Sequence, residues 1–302
     1  MSNNDNLLNS QQNYGLSWGV ERRLEFIEFR LFWEERINRG DLISFFNISV
    51  PQASADFSKY QELAPGNMIY DNKGKFYYAS PHFKPILNKP SAEQYLVRYM
   101  AETSGMLQRH KSFIGFVPTA GTVPLPWRRV EPSILKGVLK AIRRKKAVAV
   151  EYQSLSRPEK LTRWISPHAL GFDGNRWHCR AYCHIDEVFK DFVLGRILDI
   201  SSERDSKIDP KNDTEWDSFI EVKIGPHSQL SEGQKEIIEH EYGMTKGEVS
   251  IPVRRAMLYY LISRLGLMPG HDKAFQKQQT VLLNEGEIQE ALGPKIWPSP
   301  QT

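Results

Sequence analysis

From Trp18 to Tyr78 the chain carries three helical patterns and one hairpin signal in a fixed order, and that order leaves few folds open. Leu24, Ile27, Phe29, Leu31, Phe32 and Ile37 recur at roughly helical spacing among Glu and Arg, which predicts an amphipathic helix from Trp18 to Asn38. A shorter helix follows, with Asp41 as N-cap, Leu42, Ile43, Phe45 and Phe46 as its apolar face and Asn47 as its end. Ser49-Val50-Pro51-Gln52 reads as a capping box: the Ser49 hydroxyl and the Gln52 amide serve each other's backbone donors, and Pro51 sits in the first turn of a third helix from Val50 to Leu63. Met68 to Tyr78 sets β-rich arms around Asp71-Asn72-Lys73-Gly74, a hairpin signal. Helix, helix, tight turn, helix and hairpin is the order of a winged helix-turn-helix.

In that fold the third helix buries one face and offers the other to the major groove. Val50, Ala53, Phe57 and Tyr60 form the expected buried stripe, leaving Gln52, Ser54, Ala55, Ser58 and Lys59 outward. Gln pairs with adenine, Ser adapts to donors and acceptors, and Ala55 suits a thymine methyl. Lys59, with Lys73 and Lys75 at the hairpin tip, suits phosphate oxygens. Arg22 and Arg23 open the first helix and read as solvated charges before they read as phosphate contacts.

Net charge does not decide the matter. Forty Lys and Arg against 36 Asp and Glu leave only +4, so contact with nucleic acid requires local clustering. Over 302 residues, a 40% hydrophobic content supports two or three modest cores. No apolar run approaches the roughly 20 residues of a membrane span, and the polar start lacks a basic end followed by an apolar run, so a cytoplasmic protein with no membrane partner is expected.

Beyond the hairpin, Pro81, Pro85 and Pro90 punctuate an extended exit. Ser91 to Thr103 reads as a connecting helix. The stretch to Trp127, with Gly115, Pro118, Gly121, Pro124 and Pro126, reads as loop with short extended pieces. A helix from Pro132 to Lys146 precedes a change of period: Val148, Val150 and Tyr152 alternate with Ala149 and Glu151, and short strands recur to Ile200 as a small antiparallel barrel or sheet. The last third mixes a strand at Phe219 to Ile224, a helix at Ser231 to Tyr242, a strand at Val249 to Val253 and a helix at Arg254 to Leu267. The expected division is a disordered tail over 1–15, the winged helix-turn-helix over 16–90, a connecting helix and linker over 91–131, a β domain over 132–203 and a C-terminal αβ domain for dimerisation or extension over 204–302.

The β region is the most specific part of the chain. On a strand through Trp177-His178-Cys179-Arg180-Ala181-Tyr182, the residues Trp177, Cys179, Ala181 and Cys183 point one way. His178, Arg180, Tyr182 and His184 point the other, where imidazole, guanidinium and phenol offer anion contacts and a stacking surface. A zinc cluster of these cysteines and histidines fails on distance, since Cys179 and Cys183 would lie about 13 Å apart at 3.3 Å per residue. That separation also forbids a disulfide, which needs Cα atoms within about 7 Å.

With Tyr152-Gln153-Ser154, Ile165 to Leu170, Asn175 to Tyr182 and Phe192 to Ile197, this segment resembles the WYL domain, a small Sm-like or SH3-like β-barrel. The winged helix in front and the αβ domain behind extend the resemblance over nearly the whole chain, which is similar to the WYL repressors associated with bacterial phage-defence systems. The name-giving Trp-Tyr-Leu triplet is Trp177-His178-Cys179 here, so a ligand's identity does not carry over. The resemblance implies an α+β multidomain regulator, a homodimer on an inverted-repeat DNA operator, modulated by a nucleotide or oligonucleotide effector. It also implies that Tyr152, Ser154, His168 and Arg196 converge with His178, Arg180 and Tyr182 on the effector.

Two basic clusters remain open. Arg143-Arg144-Lys145-Lys146, after Lys136 and Lys140, suits a helix C-terminus without any ligand. Arg254-Arg255 resembles a position through which such C-terminal domains reach a neighbouring WYL pocket. No paired-carboxylate signature, phosphate-cradling loop or nucleophile motif is found, so no enzyme, cofactor or metal is expected. A nucleic-acid-processing enzyme or an RNA-binding module built on the basic barrel stays as the alternative.

Overall fold

Residues 15–108, 112–121, 123, 128–269, 276–294 and 296 are described by the computed structural model. The expected tail, Gly15 aside, and the end of the loop segment from Pro124 to Trp127 lie outside them. The chain divides into two units, Met1–Leu125 and Pro126–Thr302.

In the first unit, α1 (Trp18–Glu34) stops short of Asn38 because Glu35 turns into the left-handed region at φ 61°. The next two residues form a strand, β1 (Arg36–Ile37). Helix α2 (Arg39–Phe46) is capped by Asn38, whose side chain accepts from the Asp41 N–H while Asp41 accepts from the Asn38 N–H. Asp41 is therefore the inner partner of a capping box and not the cap. In α3 (Val50–Leu63) Ser49 does accept from the Gln52 N–H, but the Gln52 amide donates to Asp56, which leaves the expected Ser49–Gln52 box half-formed.

Strands β2 (Met68–Asp71) and β3 (Phe76–Ala79) make the hairpin, and β1 joins the outer side of β3 to give the order β1-β3-β2. Asp71 accepts from the Lys73 N–H, and Lys75 closes the turn at φ 58°. Leu24, Ile27 and Leu31 of α1, Leu42 of α2 and Ala53, Phe57 and Tyr60 of α3 fill the core. Val50, expected in the buried stripe, is 56% exposed because it opens the helix ahead of the packed turns. Phe113 enters the same core and packs on Phe26, Phe45 and Phe46. Helix α4 (Ala92–Thr103), N-capped by Ser91, stacks Tyr95 on Phe29.

In the second unit, α5 (Pro132–Arg144) covers one face of a five-stranded antiparallel sheet. Its strands are β4 (Lys146–Tyr152), β5 (Leu161–Phe172), β6 (Trp177–Cys183), β7 (Val188–Val193) and β8 (Ile197–Asp205), in the order β7-β6-β5-β4-β8. The β4–β8 and β5–β6 pairings shift register at bulges, which bend the strands. No ladder among the described residues joins β7 to β8, so the expected closed barrel is here a bent sheet with two edges.

A short helix, α6 (Thr214–Asp217), leads into β9 (Phe219–Pro226), α7 (Glu232–Glu241), β10 (Val249–Arg254), α8 (Leu258–Arg264), β11 (Thr280–Leu282) and α9 (Glu285–Leu292). The three strands pair antiparallel as β10-β9-β11, with Leu258, Ile262 and Ile288 packed on Ile220, Val222 and Ile224. The helix expected from Arg254 to Leu267 is a 3-10 turn at Arg255–Met257 followed by α8. No described helix is long and apolar enough to cross a membrane.

Candidate nucleic-acid interface and effector face

Gln52, Ala55, Ser58 and Lys59 are exposed on α3, and Ser54 is half-buried beside them. The face is polar because the opposite one is consumed by packing: Phe57 stacks on Tyr77 of the hairpin at 4.4 Å. Asp56 is buried, and Arg23 neutralises it through two bonds of 2.6 and 3.1 Å, so this carboxylate does not repel an anion in front of the helix. Arg23 is thereby a tie between α1 and α3, and Arg22 pairs with Glu25. Neither stands as the free solvated charge expected.

Lys59 pairs with Glu62 at 3.1 Å in an exposed ion pair, which holds it only weakly. Lys73 and Lys75 are exposed at the hairpin tip. Two cations that the sequence reading passed over join this face. Arg39 donates to Ser54 at 3.2 Å, and Arg36 on β1 lies 5.0 Å over the Phe76 ring. Their signal was the short gap between α1 and α2, hidden when Arg36 is assigned to the first helix.

The residues expected to meet an effector do not gather on one open face. Cys179, Ala181 and Cys183 point into the core as expected, but Trp177 at the strand end is 48% exposed. Tyr152 also faces the core and accepts from the Val193 N–H, because it continues the alternation of Val148 and Val150. Burial pushes the Cys179 thiol up to about 12.

His178 and Arg180 lie on the far side of β6, where they are 2% and 4% exposed. The Arg180 guanidinium meets Asp213 at 2.7 and 2.8 Å, Glu215 at 2.9 Å and Asp191 at 3.5 Å. Burial works against its charge, but these carboxylates outweigh that and raise its affinity for the proton. His168 shares Asp213 at 2.9 Å, and His178 meets Asp173 at 2.9 Å. Arg180, His168 and His178 are thus occupied by carboxylates brought up by the loop before α6, by α6 itself, by β7 and by the turn between β5 and β6. Arg180 is buried against these carboxylates, where the sequence suggested an open anion contact. Asp213 was missed although it carried a signal: Asp before Thr214-Glu215-Trp216 is an N-cap pattern, and its side chain does accept from the Trp216 N–H.

The remaining residues stay accessible at separate places. Ser154 bonds Ser156 in the loop after β4. Arg196, in the turn before β8, is half-buried and makes no side-chain hydrogen bond or ion pair among the described residues. Tyr182 is half-buried and packs edge-on against Phe189. Phe189 and His168 line a pocket of about 170 Å³ with Lys145, Lys146, Ser166 and Ser206. Lys146 pairs with Asp205, and Ser166 bonds both His184 and Ser206. Arg254 is packed over the Trp216 and Phe219 rings.

The residues 19–119 match the family model for the BrxR transcriptional regulator winged helix-turn-helix domain, residues 133–202 that of the WYL domain, and residues 219–288 that of the BrxR transcriptional regulator C-terminal dimerization domain. The DNA-binding transcriptional repressor CapW of Stenotrophomonas maltophilia is 41% identical over 89% of this chain and 91% of its own length. The repressor of the same name from Pseudomonas aeruginosa is 38% identical over 94% of this chain and 95% of its own. The chain belongs to this family of WYL-domain regulators. Like CapW of Escherichia coli strain KTE188, which is 38% identical over 91% of this chain, the homologues bear the name of repressors and not of enzymes. Two carboxylates of this WYL regulator are held low, which predicts an acid sensitivity. Burial pushes Asp173 upward, but hydrogen bonds from His178 and from the Arg176 and Asn175 N–H groups hold it down to about 2. Asp213 is lowered in the same manner, with Arg180 and His168 outweighing burial. Carboxyls held low contribute stability above the ordinary carboxylate range, near 4, and lose it as pH falls toward their folded values. Asp191, pushed up by burial, has the opposite sign and partly offsets them. The urea midpoint of the second unit is expected to fall between pH 5 and pH 3 and to fall less in Asp173→Asn; a midpoint independent of pH would contradict this.

Proposed function

We propose that this chain represses transcription as a homodimer on an inverted-repeat operator, reading the major groove with α3 and gripping phosphates with the hairpin. The observation that carries the reading is the exposed α3 face of Gln52, Ser54, Ala55, Ser58 and Lys59, flanked by Lys73, Lys75, Arg36 and Arg39, in a chain whose relatives are named DNA-binding repressors. The match of residues 219–288 to a dimerization domain supports the dimer, and two-fold protein symmetry requires a two-fold site. A phage-defence locus as the target rests on the family resemblance.

Lys59→Ala is expected to weaken binding to every sequence and to lower the slope of log affinity against log salt by about 0.9, the value of one phosphate contact. Gln52→Ala is expected to relax preference at one base pair while leaving that slope unchanged. Footprinting and salt titration on the chain's own upstream DNA measure both; wild-type behaviour in both variants would remove α3 from the interface.

We further infer that an anionic, nucleic-acid-derived effector acts on the WYL domain. With Arg180 engaged by carboxylates, the supporting geometry is the pocket beside His168, Phe189 and Lys145, with Tyr182 next to it. At about 170 Å³ it has room for a phosphate group but not for a whole nucleotide, so the rest of the effector lies along the accessible surface. Ser154 and Arg196 belong to a different end of the sheet and suit the same extended ligand. Coupling then requires an affinity difference between DNA-competent and DNA-incompetent dimers of about 1–3 kcal/mol. Lys145→Glu is expected to abolish the response of operator binding to oligonucleotides without altering binding in their absence; a retained response would exclude this pocket.

A further inference from the structure

A cavity of about 650 Å³ lies in the winged-helix unit, between α1, α4 and the exit chain from Pro85 to Ser91. Pockets for drug-sized ligands span about 300–1,000 Å³, so this one accepts a whole small molecule. One wall is aromatic: Phe29, Phe32, Trp33 and Tyr95, with Trp33 and Tyr95 at 4.6 Å and Phe32 and Trp33 at 4.8 Å. Phe32 keeps 39% of its surface exposed, an uncovered ring beside an open cavity.

The charges at its rim are unevenly satisfied. Arg22 pairs with Glu25, and Glu28 accepts four hydrogen bonds from within the protein. Lys89 and Arg98 are exposed and have no carboxylate partner among the described residues; Arg98 lies 6.0 Å over the Phe29 ring. An aromatic wall with two uncommitted cations at its edge takes a flat ring carrying an anionic group: the ring covers the exposed aromatic surface and the cations take the charge.

We propose that this cavity is a binding site for a planar aromatic anion of the nucleoside monophosphate class, separate from the WYL pocket and independent of the effector reading above. Its floor reaches the DNA-reading helix directly. Glu28 lines the cavity and accepts from Tyr60 of α3 at 3.2 Å and from the Ile86, Leu87 and Asn88 N–H groups at 2.8 to 3.0 Å. A ligand seated there bears on the segment that anchors α3 from behind.

The test uses the full chain with AMP, adenosine and inorganic phosphate as probes, read by calorimetry and by amide exchange. AMP is expected to bind and to slow exchange at residues 86–88. Adenosine and phosphate alone should each bind about tenfold or more weakly than AMP, the loss of one charge-assisted or stacking contribution. Lys89→Glu with Arg98→Glu, both exposed and harmless to the core, should weaken AMP by about a hundredfold while leaving the melting temperature unchanged. Absence of AMP binding at millimolar concentration overturns the proposal. So does AMP affinity unchanged in the double variant, or protection confined to residues 145–210.

Discussion

Arg180→Ala is expected to destabilise the second unit by about 3–5 kcal/mol, the cost of removing one partner from a buried ionic network. The substitution leaves Asp213, itself 2% exposed, and Asp191 without their cation, and frees the loop before α6 that Asp213 and Glu215 tie to the sheet. For a unit of this size the melting temperature should drop on the order of 10 °C, at about 2–4 °C per kcal/mol. Asp213→Asn, which keeps the shape and can still accept from Arg180, should cost less than half as much. A guanidinium that served only to hold a ligand would give a different result: normal stability and a lost effector response. Urea unfolding of the two variants separates these roles, and an Arg180→Ala chain within 1 kcal/mol of wild type would show that the network is not structural.

Glu28→Ala should have an effect of comparable size on the winged-helix unit. Its carboxylate, 2% exposed, accepts from three consecutive backbone N–H groups of Ile86, Leu87 and Asn88 and from the Tyr60 hydroxyl. Each buried donor left unsatisfied costs about 1–3 kcal/mol, so even with some donors rescued by water the loss is about 3–5 kcal/mol. Tyr60 also accepts from Asn67, which holds Lys84 through two backbone contacts, so the loss spreads along the chain that follows the wing. Operator binding should weaken with stability, since α3 loses a support behind Tyr60. Glu28→Gln, able to accept but with one oxygen replaced by a donor, should fall between. Exchange rates at 86–88 that stay slow in Glu28→Ala would show that some other group holds these amides.

Asp213, the main partner of Arg180, and Glu28 both stand among dispersed acids in the sequence. Glu28 sits in a helical pattern where Glu and Arg alternate with apolar residues, and nothing local distinguishes it from Glu21 or Glu25. Its burial comes from a segment some sixty residues later folding back over α1, with Asn88 bound at a separation of 60. Phe113 was hidden for the same reason: it stands in a Gly- and Pro-punctuated stretch without period, yet it completes an aromatic cluster with Phe26, Phe45 and Phe46. On β6, alternation correctly sent Cys179, Ala181 and Cys183 to one side and His178 and Arg180 to the other. Alternation reports which side a residue takes, not what covers that side.

The sequence by itself determined the helices and strands that carry a period, the hairpin with its lysine tip, the outward face of α3 and the family, because these depend on spacing along the chain and on residue chemistry within a few positions. Only the tertiary structure decided which charges are free. Arg23 is spent on Asp56, Arg180 on Asp213, Asp191 and Glu215, and His178 on Asp173, whereas Arg36, Arg39, Arg98 and Arg196 keep open surfaces or loose contacts. The physical reason is that a charge taken out of water must meet a partner, and long-range folding selects that partner from residues with no regular spacing to it.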